Sequence, residues 1–158
     1  HRDLHSFPTR RSSDLAAVVV ASAEWANEHD KKPIGKVISW GIVGVEPSYM
    51  GIGPVPASKL ALQKAEWALE DVDLIEVNEA FAGQYLAVER ELGIDRERTN
   101  VNGGAIALGH PLGATGTRLI YTLLKELSRR GGGRGLATAC IGGGQGIAMC
   151  VEVDPNGI

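Results

Sequence analysis

The chain is short of the residues that mark most specialised protein classes. It holds only two cysteines, Cys140 and Cys150, in 158 residues. That is too few for a disulfide scaffold, and a bridge between the two is disfavoured relative to free thiols. Aromatic residues make up 5% of the sequence, and a formal net charge of −3 provides no basic surface. Nucleic acid and membrane surfaces are therefore not expected as partners. The longest apolar run, residues 15–21, is far too short to span a bilayer. No secretory leader is expected, the sequence has no N-glycosylation acceptor, and with the sparse cysteines this predicts a cytoplasmic protein. The paired short Cys and His spacings of a zinc site are missing too, so no metal is expected.

Glycine is what the sequence has in excess. The 21 glycines gather at 102–116, 131–135 and 142–146, which predicts positive-φ turns and close backbone approaches. The remainder, 44% hydrophobic and 22% charged, is the composition of an ordinary globular chain about one domain long.

Residues 1–15 have neither helical nor alternating periodicity and are read as a non-native or disordered leader. His1-Arg2-Asp3-Leu4 matches the start of a kinase catalytic loop by chance, since Pro8 stands where that loop needs Asn. From residue 16 the pattern is regular. Residues 17–21 predict a buried strand and 22–29 a short helix. Further strands are expected at 35–45, 74–77, 100–103, 136–140 and 147–153. A helix is expected over 56–70, with Ala57, Leu60, Ala61, Ala65, Ala68 and Leu69 as its apolar stripe. A second carries Phe81, Tyr85, Val88 and Leu92 on one face and stops at Gly93. Pro111 opens a third, with Ile120, Leu123, Leu124 and Leu127 as its stripe. The order β-α-β-α-β-α-β-β predicts an α/β fold: a mixed, mostly parallel five-stranded sheet with helices layered on it and a closing antiparallel hairpin.

Three polar residues fall at junctions of these elements, where α/β folds keep their chemistry. His110 precedes Pro111, so it is extended and lies just outside a helix N-terminus. There a neutral ring is favoured, able to donate to a developing oxyanion; a turn histidine without a role is the alternative. Cys140 closes a strand before Gly142-Gly143-Gly144, where it is either a thiol facing a cleft or a small core residue. Cys150, in mid-strand, is assigned to the core. Asn78 ends a strand and is either a ligand to water or the N-cap of the next helix.

Asn78-Glu79-Ala80-Phe81-Ala82, the block from Asn102-Gly103-Gly104 to Gly109-His110-Pro111-Leu112-Gly113, and Cys140-Ile141-Gly142-Gly143-Gly144 occur in that order. Together they resemble the C-terminal domain of a thiolase, an acetyl-CoA acetyltransferase or 3-ketoacyl-CoA thiolase. The resemblance implies domain bounds of 33–154, with 16–32 the tail of a missing N-terminal domain. It implies acyl transfer between CoA thioesters by Claisen condensation or its reverse, with no cofactor beyond the acyl-CoA substrates. Cys140 is implied as the base that takes the α-proton. His110 and a water on Asn78 are implied to hold the enolate oxygen, and the Gly142 N–H to contribute to a second oxyanion hole. Met50, Ala80 and Phe81 are implied to line the pantetheine and acyl channel. The nucleophilic cysteine of that family lies in its N-terminal half, so this chain alone is expected to be inactive, and the full-length protein to be a homodimer or homotetramer. A non-catalytic module of the same fold, binding lipid or a subunit, is the alternative.

Overall fold

The computed structural model of the chain describes residues 15–155. The readings of residues 1–14 lie outside that range.

The elements run α1 (Ala23–Glu28), β1 (Lys36–Gly44), α2 (Pro54–Ala65), β2 (Leu74–Val77), α3 (Ala82–Leu92), α4 (Ala105–Leu108), α5 (Leu112–Arg129), β3 (Gly133–Gly142) and β4 (Gln145–Val153). Short 3₁₀ turns cover Pro47–Ile52, Leu69–Asp71 and Arg96–Arg98. The strands form one sheet in the order β1-β4-β3-β2. β4 is antiparallel to both β1 and β3, while β2 and β3 are parallel. Three strands thus point one way, but because β4 runs between two of them, most neighbouring pairs are antiparallel.

The sheet has four strands and not the expected five, because residues 100–103 form a turn. Asn100 and Gly103 take positive φ, 49° and 86°, which no extended ladder admits. What remains of the fifth strand is an isolated parallel bridge from Ile75 to Thr99. The Asn100 side chain stands in for the next peptide: its Oδ1 accepts from Val77 N–H and its Nδ2 donates to Val77 O, each at 2.9 Å.

Strand alternation sorts the core into two layers. On one face Ile75, Val77, Leu136, Ala148 and Cys150 pack on Val55, Ala57, Ala61 and Leu62 of α2 and Val88 of α3. On the other, Leu74, Ala137, Ala139, Val151 and Val153 pack on Leu119, Leu123, Leu124 and Leu127 of α5. Helix α2 lies close because Gly41 has no side chain; a Cβ there would come within 2.5 Å of Ala57 O.

Helix α2 stops at Ala65 and does not reach residue 70. Glu66 is left-handed at φ 58°, and the Asp71 carboxylate accepts from Ala68 N–H at 2.8 Å, a local bond that competes with helical continuation. Ala68 is accordingly exposed. In α3 Val88 is buried as expected, and Gly93 ends the helix at φ 68°. Phe81, however, is 67% exposed. The predicted strand at 17–21 does not form: it has no strand partner among the described residues, and Val19 and Val20 are 92% and 81% exposed.

Candidate active site

Helix α5 is preceded by Gly109 at φ 98° and by Pro111, whose φ of −72° sets the entry to the first turn. This geometry leaves His110 off the helix end but within reach of its first turn. His110 Nδ1 lies 2.8 Å from Thr115 Oγ1, and Thr115 Oγ1 donates to Pro111 O at 3.0 Å. A hydroxyl has one proton. With that proton on Pro111 O, Thr115 accepts from the ring, which assigns the imidazole proton to Nδ1 and leaves Nε2 bare. Nε2 then accepts from Asn78 Nδ2 at 3.3 Å.

A neutral His110 in this tautomer has no proton on Nε2 to offer an oxyanion, so that nitrogen acts first as a base and becomes a donor once it has taken a proton.

Asn78 is 1% exposed. Its N–H donates to Thr138 O at 2.9 Å, which carries the β2 pairing one residue past the strand. It does not cap α3, which begins after Phe81 with no side-chain cap. The Asn78 amide spans from the sheet to His110, and its Oδ1 is buried without a hydrogen-bond partner among the described residues.

Cys140 sits at the same end of the sheet, two residues beyond Thr138 on β3. By alternation it continues the Leu136 and Thr138 face, whereas Asn78 continues the Leu74 and Glu76 face. The structure thus brings Asn78, His110 and Thr115 into one hydrogen-bonded chain. Cys140 lies at the same end of the sheet but on its opposite face, with no hydrogen bond to any of the three among the described residues. Cys140 is half-buried, and burial pushes its thiol up, against a smaller lowering by a backbone hydrogen bond. Cys150 is fully buried, and burial pushes its thiol up as well.

Beyond Cys140 the ladder shifts register at Gly142, φ 82°, and turns through Gly143 and Gly144 at φ 60° and 78°. Two successive positive φ values are those of a tight two-residue hairpin turn, which glycine adopts without penalty. The Gly142 N–H therefore lies at a bulge two residues beyond Cys140. Across the hairpin, Cys140 pairs with Gly146. A Cβ on Gly146 would come within 2.0 Å of Gly53 O, so the segment carrying Met50 is pressed against the hairpin that carries Cys140. Met50 and Ala80 are half-buried and Phe81 exposed.

Sequence reasoning missed three residues that hold this arrangement. Thr115 bonds the imidazole at Nδ1. Asn100 closes the end of β2. Glu79 ties down the loop before α4, its Oε1 accepting from Asn100 Nδ2 at 3.0 Å and its Oε2 from Ile106 N–H at 2.9 Å. A Cβ on Gly104 would fall 2.1 Å from the Glu79 carboxyl carbon, which is why that loop needs glycine. A carboxylate beside a buried Asn was the only signal available for Glu79, and Thr115 gave only its place in the first turn after His110.

The chain belongs to the thiolase family: residues 31–153 match the thiolase C-terminal domain. It is 56% identical over 137 residues to the cytosolic acetyl-CoA acetyltransferase of Mus musculus, covering 87% of this chain and 34% of that protein. It is 55% identical over 136 residues to the mitochondrial 3-ketoacyl-CoA thiolase of Homo sapiens, with 86% and 34% covered. The crystal structure of the human mitochondrial 3-ketoacyl-CoA thiolase in complex with CoA superposes with a TM-score of 0.82 at 55% identity, covering 84% of this chain and 34% of that one. The chain thus spans about a third of the length of these relatives. Among the described residues no helix is long and apolar enough to cross a membrane.

Proposed function

We propose that this domain supplies the proton-transfer and oxyanion half of a thiolase active site, acting on acyl-CoA thioesters by Claisen condensation or its reverse. The observation that supports the reading is the Asn78–His110–Thr115 chain at the end of the sheet where Cys140 and Gly142 also lie; with the ring proton on Nδ1, Nε2 of His110 is bare.

In the first half of condensation an acyl group is taken onto a thiol. His110 Nε2 accepts that thiol's proton and, now carrying hydrogen on both ring nitrogens, becomes a donor. Cys140, held protonated by burial, gives its proton to the departing CoA thiolate. The Cys140 thiolate so formed removes the α-proton of the second acyl-CoA in the next half. The carbanion it leaves is an enolate, and His110 Nε2–H with the Asn78 amide supports its oxygen. Donors fixed in advance help most at this step, and removing one typically costs about 10² to 10³ in rate. The Gly142 N–H stabilises the tetrahedral oxygen formed when the carbanion attacks the acyl group. Met50, Ala80 and Phe81 line the channel that leads to these groups.

The acyl-carrying thiol in this reading is neither cysteine of the chain, since Cys140 serves as the base and Cys150 is in the core. Residues 33–154 form the domain and 16–32 belong with a preceding one. The relatives' names divide between cytosolic and mitochondrial; two free thiols suit a reducing compartment, and we place this chain in the cytoplasm. The assembled enzyme is a homodimer or homotetramer, with no metal or organic cofactor. The direction of reaction and the acyl chain length belong to features outside the groups described.

The test is a chimera in which residues 31–153 replace the matching domain of the mouse acetyltransferase, assayed for thiolysis of acetoacetyl-CoA. Turnover that falls at least a hundredfold with Cys140→Ser and with His110→Ala supports the reading. A folded chimera that acylates but whose thiolysis is unaffected by either change overturns it.

A further inference from the structure

Glu76 on β2 and Asn78 one residue past its end lie two apart and continue the Leu74 face toward α5. Thr115 and Arg118 lie three apart on α5 and share one side of it. Asn78 is linked to Thr115 through His110, and Glu76 is linked to Arg118 directly, Oε2 3.5 Å from Nη1. The two links run side by side between the same strand and the same helix, about 6.6 Å apart along the strand and about 4.5 Å along the helix.

The second link is buried, with Glu76 2% and Arg118 13% exposed in their side chains. It is also poorly bonded: Glu76 Oε2 and both Nη atoms of Arg118 have no hydrogen-bond partner among the described residues. A buried ion pair without supporting hydrogen bonds adds little to stability and is often replaced by neutral side chains without loss. Its position is what sets it apart: it lies one rung along the strand and helix from the link that carries the half-buried imidazole.

We propose that Glu76 and Arg118 are positioning residues acting through His110, their opposed charges governing how firmly its Nε2 holds a proton. The carboxylate strengthens that hold and the guanidinium weakens it. Burial pushes the Glu76 carboxyl up to about 7, with Arg118 drawing it down and Glu79 adding to the rise. The carboxyl therefore changes charge in the range where an imidazole ordinarily does. The other ionisable groups at this end of the sheet are Glu79, on the turn after β2 and bonded to Asn100 and Ile106, and the Cys140 thiol at the end of β3, on the opposite face. The β3 residues that face α5, Ala137 and Ala139, carry none. The consequence for catalysis rests on the proposed role of His110, but the charge effect itself does not.

The test is an NMR titration of the His110 ring in the 158-residue chain. Arg118→Met is expected to raise the midpoint by about half a pH unit or more, and Glu76→Gln to lower it by a few tenths. The double variant, with neither charge, is expected to follow Arg118→Met, and it keeps the test open if a single variant unfolds, because it leaves no lone buried charge. A merely structural role would loosen the ring in either single variant and move both midpoints the same way. Shifts of one sign, or none, overturn the proposal. An inactive chimera alongside shifts of opposite sign would defeat the acyl-transfer reading and leave this inference standing.

Discussion

Replacing Thr115 by Val keeps the shape of a side chain that is 2% exposed but removes the oxygen that receives the His110 Nδ1 proton. Pro111 O loses the hydroxyl as a donor but keeps the Ala114 and Thr115 N–H groups, each at 2.9 Å, so only the ring proton is left without a partner. A net hydrogen bond is worth about 1 kcal/mol, and 1.4 kcal/mol is tenfold in an equilibrium. The ratio of Nδ1–H to Nε2–H rings should therefore fall about fivefold. The Nε2–H form gains a partner in exchange, because a rotation of the Asn78 amide presents the Oδ1 that is now unbonded. Both changes push the same way, and the fraction of rings with a bare Nε2 should drop about tenfold. In ¹⁵N spectra of the ring, protonated and bare nitrogens are read directly, so the proton should be seen to change nitrogen. Urea unfolding should show a loss of about 1–2 kcal/mol, and the chimera's thiolysis should slow in proportion to the tautomer change. Thr115→Ser, which keeps the hydroxyl, should behave as the parent. A Thr115→Val ring that still carries its proton on Nδ1 would refute the assignment and, with it, the base role of Nε2.

Two carboxylates should give opposite pH responses. Hydrogen bonds from Arg129 and then Arg130 hold Glu126 down to about 2, so its contribution is full above about 4.5 and is lost as pH falls toward 2; Glu126→Gln should flatten urea midpoints over that window. Glu76, raised to about 7 by burial, favours the fold below about 4.5 and loses that contribution as pH rises through 7, a slope that Glu76→Gln should remove. Gly104→Ala should drive the Glu79 carboxylate off Asn100 and Ile106, costing about 1–3 kcal/mol in urea unfolding and broadening the amide signals of residues 100–109. Incubated with acetyl-CoA, the 158-residue chain should show no acetyl adduct by intact-mass spectrometry; an adduct on Cys140 would contradict its assignment as the base.

The helices and the closing hairpin were legible because their signals are local. Pro111 and Gly93 mark a helix start and stop, and the leucine stripe of α5 recurs at helical spacing. The sheet was less so. Asn100 to Gly103 looks extended until the positive φ of Asn100 is known, and that conformation is imposed by Val77, more than twenty residues away in sequence. Nor does any local pattern reveal that β4 lies between β1 and β3. At the site, the motif placed Asn78 and His110, and the structure bonds the two. The tautomer was hidden because it depends on a threonine hydroxyl whose proton is already committed. The resting state of Cys140 was equally hidden, since it depends on burial, which pushes the thiol up so that it rests as an acid.

With both hydrogen-bonding groups of Val77 occupied by the Asn100 side chain, that margin of the sheet has nothing left to offer an incoming strand. The opposite border does: β1 is the outermost strand, and Val37, Trp40 and Ile42 on it are all substantially exposed. If this chain self-associates at high concentration, the asymmetry dictates that growth starts at β1, and a lysine at position 40 should be the most effective single change for keeping it in solution.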